Sequence, residues 1–313
     1  MPRPHLYLFT ALLVAFGISH FSDKIDPYHL DVVIGIGINI ILAVSLNLVN
    51  GYTGQFSLGH AGFMSVGAYF SAAISLFVAP QFLGAEGGTA LRQGLLFVAA
   101  LSAGGLCAAL AGLLVGVPSL RLKGDYLALV TLGFGEIIRV IFQNVEKLGG
   151  ALGLNGIPAY TTIFWVLAFV AGSVFVVTCL VHSTYGRGFL ATHDDEIASE
   201  AVGLNTTHYK IVAFVIGAFF AGIAGGLYGH FKLTITPTGF GFEKSIEIVV
   251  MVILGGMGNT IGVILAAILL TLLPELLRPI AEYRMIIYSF LLIVLMLVRP
   301  QGLFNFKYGK AKP

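Results

Sequence analysis

Four of the chain's fifteen acidic residues fall within seven positions of one polar stretch: Asp194, Asp195, Glu196 and Glu200. The spacing of Thr192 and Asp195 predicts a helix start with a capping side chain. Carboxylates in the first turns of a helix are favoured by the positive end of the helix dipole. The chemistry that this cluster suits is recognition of a partner protein through a short helix with an acidic start.

The other side of this predicted helix is apolar and small. Ile197, Ala201 and Leu204 recur at i, i+4 and i+7, and Gly203 is expected to end the helix in a left-handed conformation. The surrounding stretch, residues 182–210, is the one long polar interruption in an otherwise membrane-compatible chain. An exposed helix here favours docking on a partner, and a solvated linker helix is the alternative.

Two glycine-rich stretches, residues 51–62 and 255–258, could shape a translocation path. Irregular backbone at membrane depth is tolerated only where it is buried in protein or lines a cavity. Broken helices also recur at the substrate sites of transporters. A tight glycine turn at the membrane surface is the alternative for both stretches. The predicted path residues are Gly51, Gly54, Gln55, Ser57, Gly59, His60, Gly255, Gly256 and Gly258.

A third candidate is the pair Glu136 and Arg139, which lie three residues apart within an apolar segment. Ionisable groups inside a membrane segment are functional hypotheses by default. The alternative is that the two charges neutralise each other near the end of a span. Lys244 and Glu247 are expected at the membrane interface.

Catalytic patterns do not appear in the sequence. It contains no phosphate-binding loop of the form G-x-x-x-x-G-K-[ST], so this chain is not expected to hydrolyse ATP. Cys107 and Cys179 lie in apolar runs, which argues against a disulfide framework or a metal site. The net charge of +2 gives no reason to expect nucleic-acid binding. We therefore predict a protein that is not an enzyme and binds no cofactor itself.

Composition defines the elements that must position these residues. Hydrophobic residues make up 57% of the chain and charged residues 10%, whereas a soluble domain carries about 25% charged residues. The forty glycines fit a membrane protein, because small residues let transmembrane helices approach closely. The fold class predicted is an all-α polytopic membrane protein that forms one transmembrane domain over residues 1–313.

Apolar segments predict about ten transmembrane helices. The run 245–273 is too long for one span and carries glycines at its middle, so it is read as two helices around a break. A signal peptide is the alternative for the first segment. The expected spans are residues 6–20, 31–48, 60–78, 93–117, 124–144, 161–182, 209–231, the two halves of 245–273, and 284–298.

Basic residues set the orientation, because Lys and Arg concentrate on the cytoplasmic side of a membrane. The C-terminal segment carries Arg299, Lys307, Lys310 and Lys312. With Arg3 at the other end, both termini are expected inside, which requires an even number of spans. This layout also puts Arg121, Lys123 and the loop 183–208, between spans six and seven, inside. Arg278 is the exception, because it falls outside.

Short motifs follow one another in order along most of the chain: 46–48 (LNL), 51–54 (GYTG), 57–63 (SLGHAGF), 67–69 (GAY), 126–139 (YLALVTLGFGEIIR), 149–150 (GG), 156–158 (GIP), 186–187 (GR), 209–210 (YK), 255–258 (GGMG) and 299–303 (RPQGL). Together these motifs resemble the LivM-type permease of bacterial branched-chain amino acid ATP-binding-cassette (ABC) importers.

The resemblance implies a multi-pass protein of the bacterial inner membrane with both termini cytoplasmic. It implies four kinds of partner: a second, LivH-like permease, two ATPase subunits that hydrolyse the ATP, a periplasmic substrate-binding protein, and the lipid bilayer. It also implies that the acidic helix is the coupling helix that docks in a groove of an ATPase subunit. The coupling residues would be Arg187, Asp194, Asp195, Glu196, Glu200, Ala201 and Gly203.

The cargo implied is a branched-chain, hydrophobic amino acid. Urea, amides or other amino acids are alternatives within the same type of importer, and a stand-alone channel or ion-coupled carrier is the alternative from another class. The chain departs from the family pattern at four positions: His193 in place of a basic residue, Leu148 in place of a threonine, Val263 in place of a proline and Ala266 in place of a glycine.

Overall fold

A computed structural model describes residues 4–20, 26–83, 89–120, 122, 124–280, 283–298 and 302–303. These residues are almost entirely helical. The α-helices are α1 (Pro4–His20), α2 (Pro27–Asn50), α3 (His60–Ala73), α4 (Ala79–Leu83), α5 (Ala90–Ser119), α6 (Asp125–Asn144), α7 (Ile163–Val181), α8 (Thr184–Asp194), α9 (Glu196–Ala201), α10 (Thr206–Lys232), α11 (Phe242–Gly255), α12 (Thr260–Leu276) and α13 (Arg284–Val298).

Local sequence signals account for several helix boundaries. Asp26 caps α2 by accepting a hydrogen bond from the Tyr28 backbone N–H, and Asn205 and Asn259 cap α10 and α12 in the same way. The predicted break in the run 245–273 is present between α11 and α12. Gly256, at the break, has φ +90°, a backbone conformation that favours glycine.

Among the residues that the structure describes, five helical segments are long and apolar enough to cross a membrane: Pro27–Asn50, His60–Phe82, Leu91–Ser119, Ile163–Val181 and Thr206–Lys232. The second of these continues from α3 through a π-helical turn, Ile74–Val78, into α4. The described part of the chain also contains three shorter apolar helices: Leu8–Ser19, Thr260–Leu276 and Ile286–Leu295. These features fit an all-α membrane protein.

Helix α10 forms the centre of the fold, where it packs against α5, α3 and α2. Glycines bring the helices unusually close. A Cβ atom placed on Gly225 of α10 would lie only 1.9 Å from the Met64 carbonyl oxygen of α3. One placed on Gly67 of α3 would lie 2.1 Å from the Gly222 carbonyl oxygen of α10. Backbone-to-backbone packing of this kind is how small residues join transmembrane helices.

A short two-stranded sheet was not predicted. Strand β1 (Leu154–Asn155) pairs antiparallel with β2 (Thr234–Ile235). The pairing joins the segment after α6 to the segment after α10. At the same end of the molecule, Lys232 forms a salt bridge of 2.9 Å with Asp31. The guanidinium of Arg278, the exception to the charge rule, lies 4.7 Å from the centre of the Tyr28 ring.

Segments that the predicted topology places on the cytoplasmic side lie together at the end of the molecule opposite the two-stranded sheet. The Gly258 backbone N–H donates to Asn47 Oδ1 (2.9 Å), and the Leu303 N–H donates to the Leu254 carbonyl oxygen (2.7 Å). These contacts bring together the end of α2, the break between α11 and α12, and Leu303. The basic residues on which the predicted orientation depends lie outside the described residues: Arg3, Arg121, Lys123, Arg299, Lys307, Lys310 and Lys312.

Candidate functional site

The acidic segment is two helices that meet at Asp195, and the predicted start was wrong. Asp194 is the last residue of α8, and Asp195 has an extended backbone (φ −156°, ψ 111°). Asp195 caps α9 by accepting hydrogen bonds from the backbone N–H groups of Ile197 and Ala198. Thr192 does not cap, because its hydroxyl donates within α8 to the Gly188 carbonyl oxygen at 2.8 Å.

Two of the predicted coupling acids bind their own chain. Glu196 forms a 2.7 Å salt bridge with Lys210 of α10, whose side chain is only 9% exposed. Glu200 accepts a 2.7 Å hydrogen bond from the buried Thr206 hydroxyl. Removing one partner of a largely buried ion pair leaves an uncompensated charge and is destabilising. These contacts therefore fix the orientation of α9 against the end of α10.

The outward side of α9 is apolar and exposed. Ile197 is 74% exposed and Val202 is 78% exposed, and Ala201 between them is exposed as well. Gly203 has φ +88°, which confirms the predicted left-handed end. Leu204 departs from the predicted apolar face because it is partly buried. Arg187, Asp194 and Asp195 are exposed on the surface near this helix.

The predicted path residues come together with this segment. A Cβ atom on Gly54, which has φ +68°, would lie 3.2 Å from His193 Cδ2 at the end of α8. A Cβ atom on Gly51 would lie 2.3 Å from the Gly258 backbone nitrogen. The two glycine-rich stretches thus pack on each other, and the first also packs on the end of α8.

Polar side chains of the 51–59 loop point into the protein. Gln55 and Ser57 are buried, and His60 Nε2 lies 2.9 Å from Ser45 Oγ. Gly59 packs on the Thr131 backbone, where an added Cβ would lie 2.3 Å from the carbonyl oxygen. In this structure the irregular backbone is therefore buried in protein, one of the two conditions under which it is tolerated at membrane depth.

Several polar groups lie where the two glycine-rich stretches pack on each other. Tyr52 Oη lies 2.8 Å from Thr260 Oγ1, and burial raises the pKa of this tyrosine. Within the described part of the chain, the side-chain nitrogens of Asn47 and Asn50 and both amide atoms of Gln55 are buried without a partner.

The charged pair lies in an open cavity at the other end of the molecule. Arg139 Nε donates to Glu136 Oε2 at 2.7 Å. A second pair, Lys244 and Glu247 on α11, lies in the same cavity with a 2.9 Å bond. The sequence separates the two pairs by about a hundred residues, and Lys244 and Glu247 were expected only to be interfacial. Ionisable residues in apolar segments were the one signal that pointed to both.

One family model and several known proteins match this chain. Residues 28–298 match the family described as "Branched-chain amino acid transport system / permease component". The chain is 36% identical to the Salmonella typhimurium permease LivM, over 99% of this chain and 79% of that protein. It is 38% identical to Escherichia coli LivM, over 85% of this chain and 67% of that protein.

The second type of permease is also similar to this chain. Escherichia coli LivH is 29% identical over 47% of this chain and 48% of its own length. No solved structure matches the chain significantly.

Proposed function

Because this chain belongs to the family of branched-chain amino acid transport permeases, we propose that it is a permease subunit of an ABC importer. Together with a second, LivH-like permease it would form the translocation path for branched-chain, hydrophobic amino acids. Two ATPase subunits would supply the energy, and a periplasmic binding protein would deliver the cargo. The relatives are named as branched-chain amino acid permeases, and this supports the cargo proposed here.

The observation that carries the coupling role is the exposed apolar face of α9. Ile197 and Ala201 of α9 and Val202 directly after it are exposed. Glu196 and Glu200 bind Lys210 and Thr206 of α10 and so hold the helix in one orientation. A linker helix without a partner has no need of an apolar outer face held in one orientation. We propose that this face docks in a groove of an ATPase subunit. His193 would transmit the movement of α8 and α9 to the 51–59 loop. Its side chain packs beside Gly54, where an added Cβ atom would lie 3.2 Å from His193 Cδ2.

Membrane orientation is part of this proposal. We propose ten spans in the bacterial inner membrane with both termini and α9 cytoplasmic. In a variant without Cys107 and Cys179, a cysteine in place of Leu152 is expected to react with an impermeant maleimide added outside cells. A cysteine in place of Val202 is expected to react only after the cells are opened. Both positions are highly exposed, at 85% and 78%, so labelling of both from the same side would contradict the orientation.

Reconstitution tests the function directly. The chain is expressed with a LivH-like permease and two ATPase subunits of a branched-chain amino acid importer, purified, and placed in proteoliposomes. We expect the ATPases to copurify, and we expect leucine uptake to require both ATP and the binding protein. Excess isoleucine or valine should compete with leucine uptake, whereas urea and acetamide should not.

Two results would contradict the proposal. Uptake by this chain without the ATPases would favour a channel or an ion-coupled carrier. If only urea or acetamide competed with uptake, the chain would still be an importer subunit, but the proposed branched-chain amino acid cargo would be wrong.

A further inference from the structure

A charged cleft lies between the second half of α6 and the start of α11. It is open, with a volume of ≈ 560 Å³. The two helices approach closely, since a Cβ atom on Gly241 would lie 3.9 Å from Arg139 Cδ and 4.0 Å from Glu136 Oε1. The ionisable side chains that line the cleft, within the described ranges, are Glu136, Arg139, Glu243, Lys244 and Glu247.

The four paired charged side chains of the cleft are only partly buried. The side chains of Arg139 and Glu136 are 24% and 37% exposed, and those of Lys244 and Glu247 are 21% and 36% exposed. Charged side chains facing lipid are costly and rare, and within membrane proteins they face a bundle interior or a water-filled cavity. The cleft therefore opens onto water or onto another protein subunit.

An apolar recess adjoins the charged cleft. Its volume is ≈ 260 Å³, and it shares Phe242, Glu243 and Glu247 with the cleft. The rest of its lining is apolar or aromatic and comes from α11 and α13: Ile246, Val250, Tyr288 and Leu292. Cations, carboxylates and an apolar pocket therefore meet at one place.

We propose that the cleft and the recess together receive the amino acid on its way through the permease, as a zwitterion with a hydrophobic side chain. Arg139 and Lys244 would bind the carboxylate, Glu247 and Glu243 the ammonium group, and the recess the side chain. This site rests on the proposed function and adds to it the residues that recognise the cargo.

The existing ion pairs suit transient binding. Each of the two described cations that line the cleft, Arg139 and Lys244, already has a carboxylate partner at 2.7–2.9 Å. Arg139 uses Nε for Glu136, and the guanidinium carries further N–H donors in a geometry that matches a carboxylate. A zwitterion can therefore exchange with these pairs without adding net charge. Such a site binds the cargo weakly enough to release it.

Protection from labelling tests the site without relying on uptake alone. Thr238 lines the cleft and is exposed. In the assembled importer, without Cys107 and Cys179, Thr238→Cys is labelled with an impermeant maleimide. Millimolar L-leucine is expected to slow labelling at least fivefold. Leucinamide, which lacks the carboxylate, and 4-methylpentanoate, which lacks the amine, should protect much less. Leu152→Cys, outside the cleft, should label at the same rate with and without leucine.

Variants in which one cation of the cleft is replaced by an uncharged side chain give the second measurement. Arg139→Gln and Lys244→Gln should each abolish protection by leucine and lower the uptake rate by about tenfold, since a hydrogen bond to a charged group is worth about 1.5–3 kcal/mol. The ATPases should still copurify with both. Lys232→Gln, at the same end of the molecule but outside the cleft, should retain protection and uptake.

The two proposals fail in different ways. If the importer transports leucine but leucine does not protect Thr238→Cys, and Gly239→Cys is also unprotected, then the cleft is not a cargo site. Wild-type uptake by Arg139→Gln would have the same meaning. An assembled complex that transports no branched-chain amino acid would instead contradict the proposed function.

Discussion

Replacing Ala201 with tryptophan is expected to remove the ATPase subunits from the purified importer and to abolish uptake. Ala201 lies on the exposed apolar face of α9 between Ile197 and Val202. The Glu196–Lys210 pair prevents α9 from turning away to make room. An indole group in a closely fitting groove would cost about 3 kcal/mol through steric overlap, which corresponds to roughly 100-fold weaker binding. Copurification and ATP hydrolysis stimulated by the binding protein measure the effect.

Ala151→Trp is the matched control, because this alanine is also exposed but lies beside β1 at the other end of the molecule. It should leave ATPase copurification unchanged. Ala201→Trp changes no residue of a membrane span, so its yield in the membrane should equal that of the wild type. Wild-type copurification and stimulated hydrolysis by Ala201→Trp would show that α9 is only a linker.

Replacing Gly225 with leucine is expected to prevent folding. The position of an added Cβ is 1.9 Å from the Met64 carbonyl oxygen and 3.1 Å from the Ala68 backbone nitrogen. Both neighbours are backbone atoms of α3, so no side-chain rotation can relieve the overlap. Separating α3 from α10 would open the centre of the fold. The free-energy cost would exceed the net stability of a folded protein, which is about 5–15 kcal/mol. We expect the yield of monodisperse protein in detergent to fall to less than about a tenth.

Gly172→Leu separates this effect from the general cost of losing a glycine. Gly172 lies within α7, and a Cβ placed there meets nothing within 4 Å. This variant should be purified in normal yield and should assemble with its partners. A normal yield of Gly225→Leu would mean that α3 and α10 do not pack as closely as they do in this structure.

Features set by neighbouring residues were predictable from the sequence. Long apolar runs require helices, because backbone groups in a membrane must be bonded within their own segment. The glycines at 255–258 marked the break between α11 and α12, and Gly203 marked the end of α9, since both places need positive φ. The family could also be predicted, because its motifs are short, local and ordered along most of the chain.

The acidic segment shows where local rules were not sufficient. Thr192 and Asp195 both carry side chains able to cap a helix, and the spacing favoured Thr192. In the fold, α8 continues through Thr192 and uses its hydroxyl within the helix, so that Asp195 makes the cap. The end of α8 depended on how far this helix could pack against the rest of the protein. The four residues from Thr192 to Asp195 do not by themselves determine that packing.

Contacts between distant segments were decided by the tertiary structure alone. Glu196 was expected to face a partner, yet it binds Lys210, because α10 begins beside α9. The pair Glu136–Arg139 meets the pair Lys244–Glu247 only because α6 and α11 pack together at one end of the molecule. A sequence specifies such residues by type but not by distance. The packing of α6 against the start of α11 is what brings these charges into one cleft beside an apolar recess.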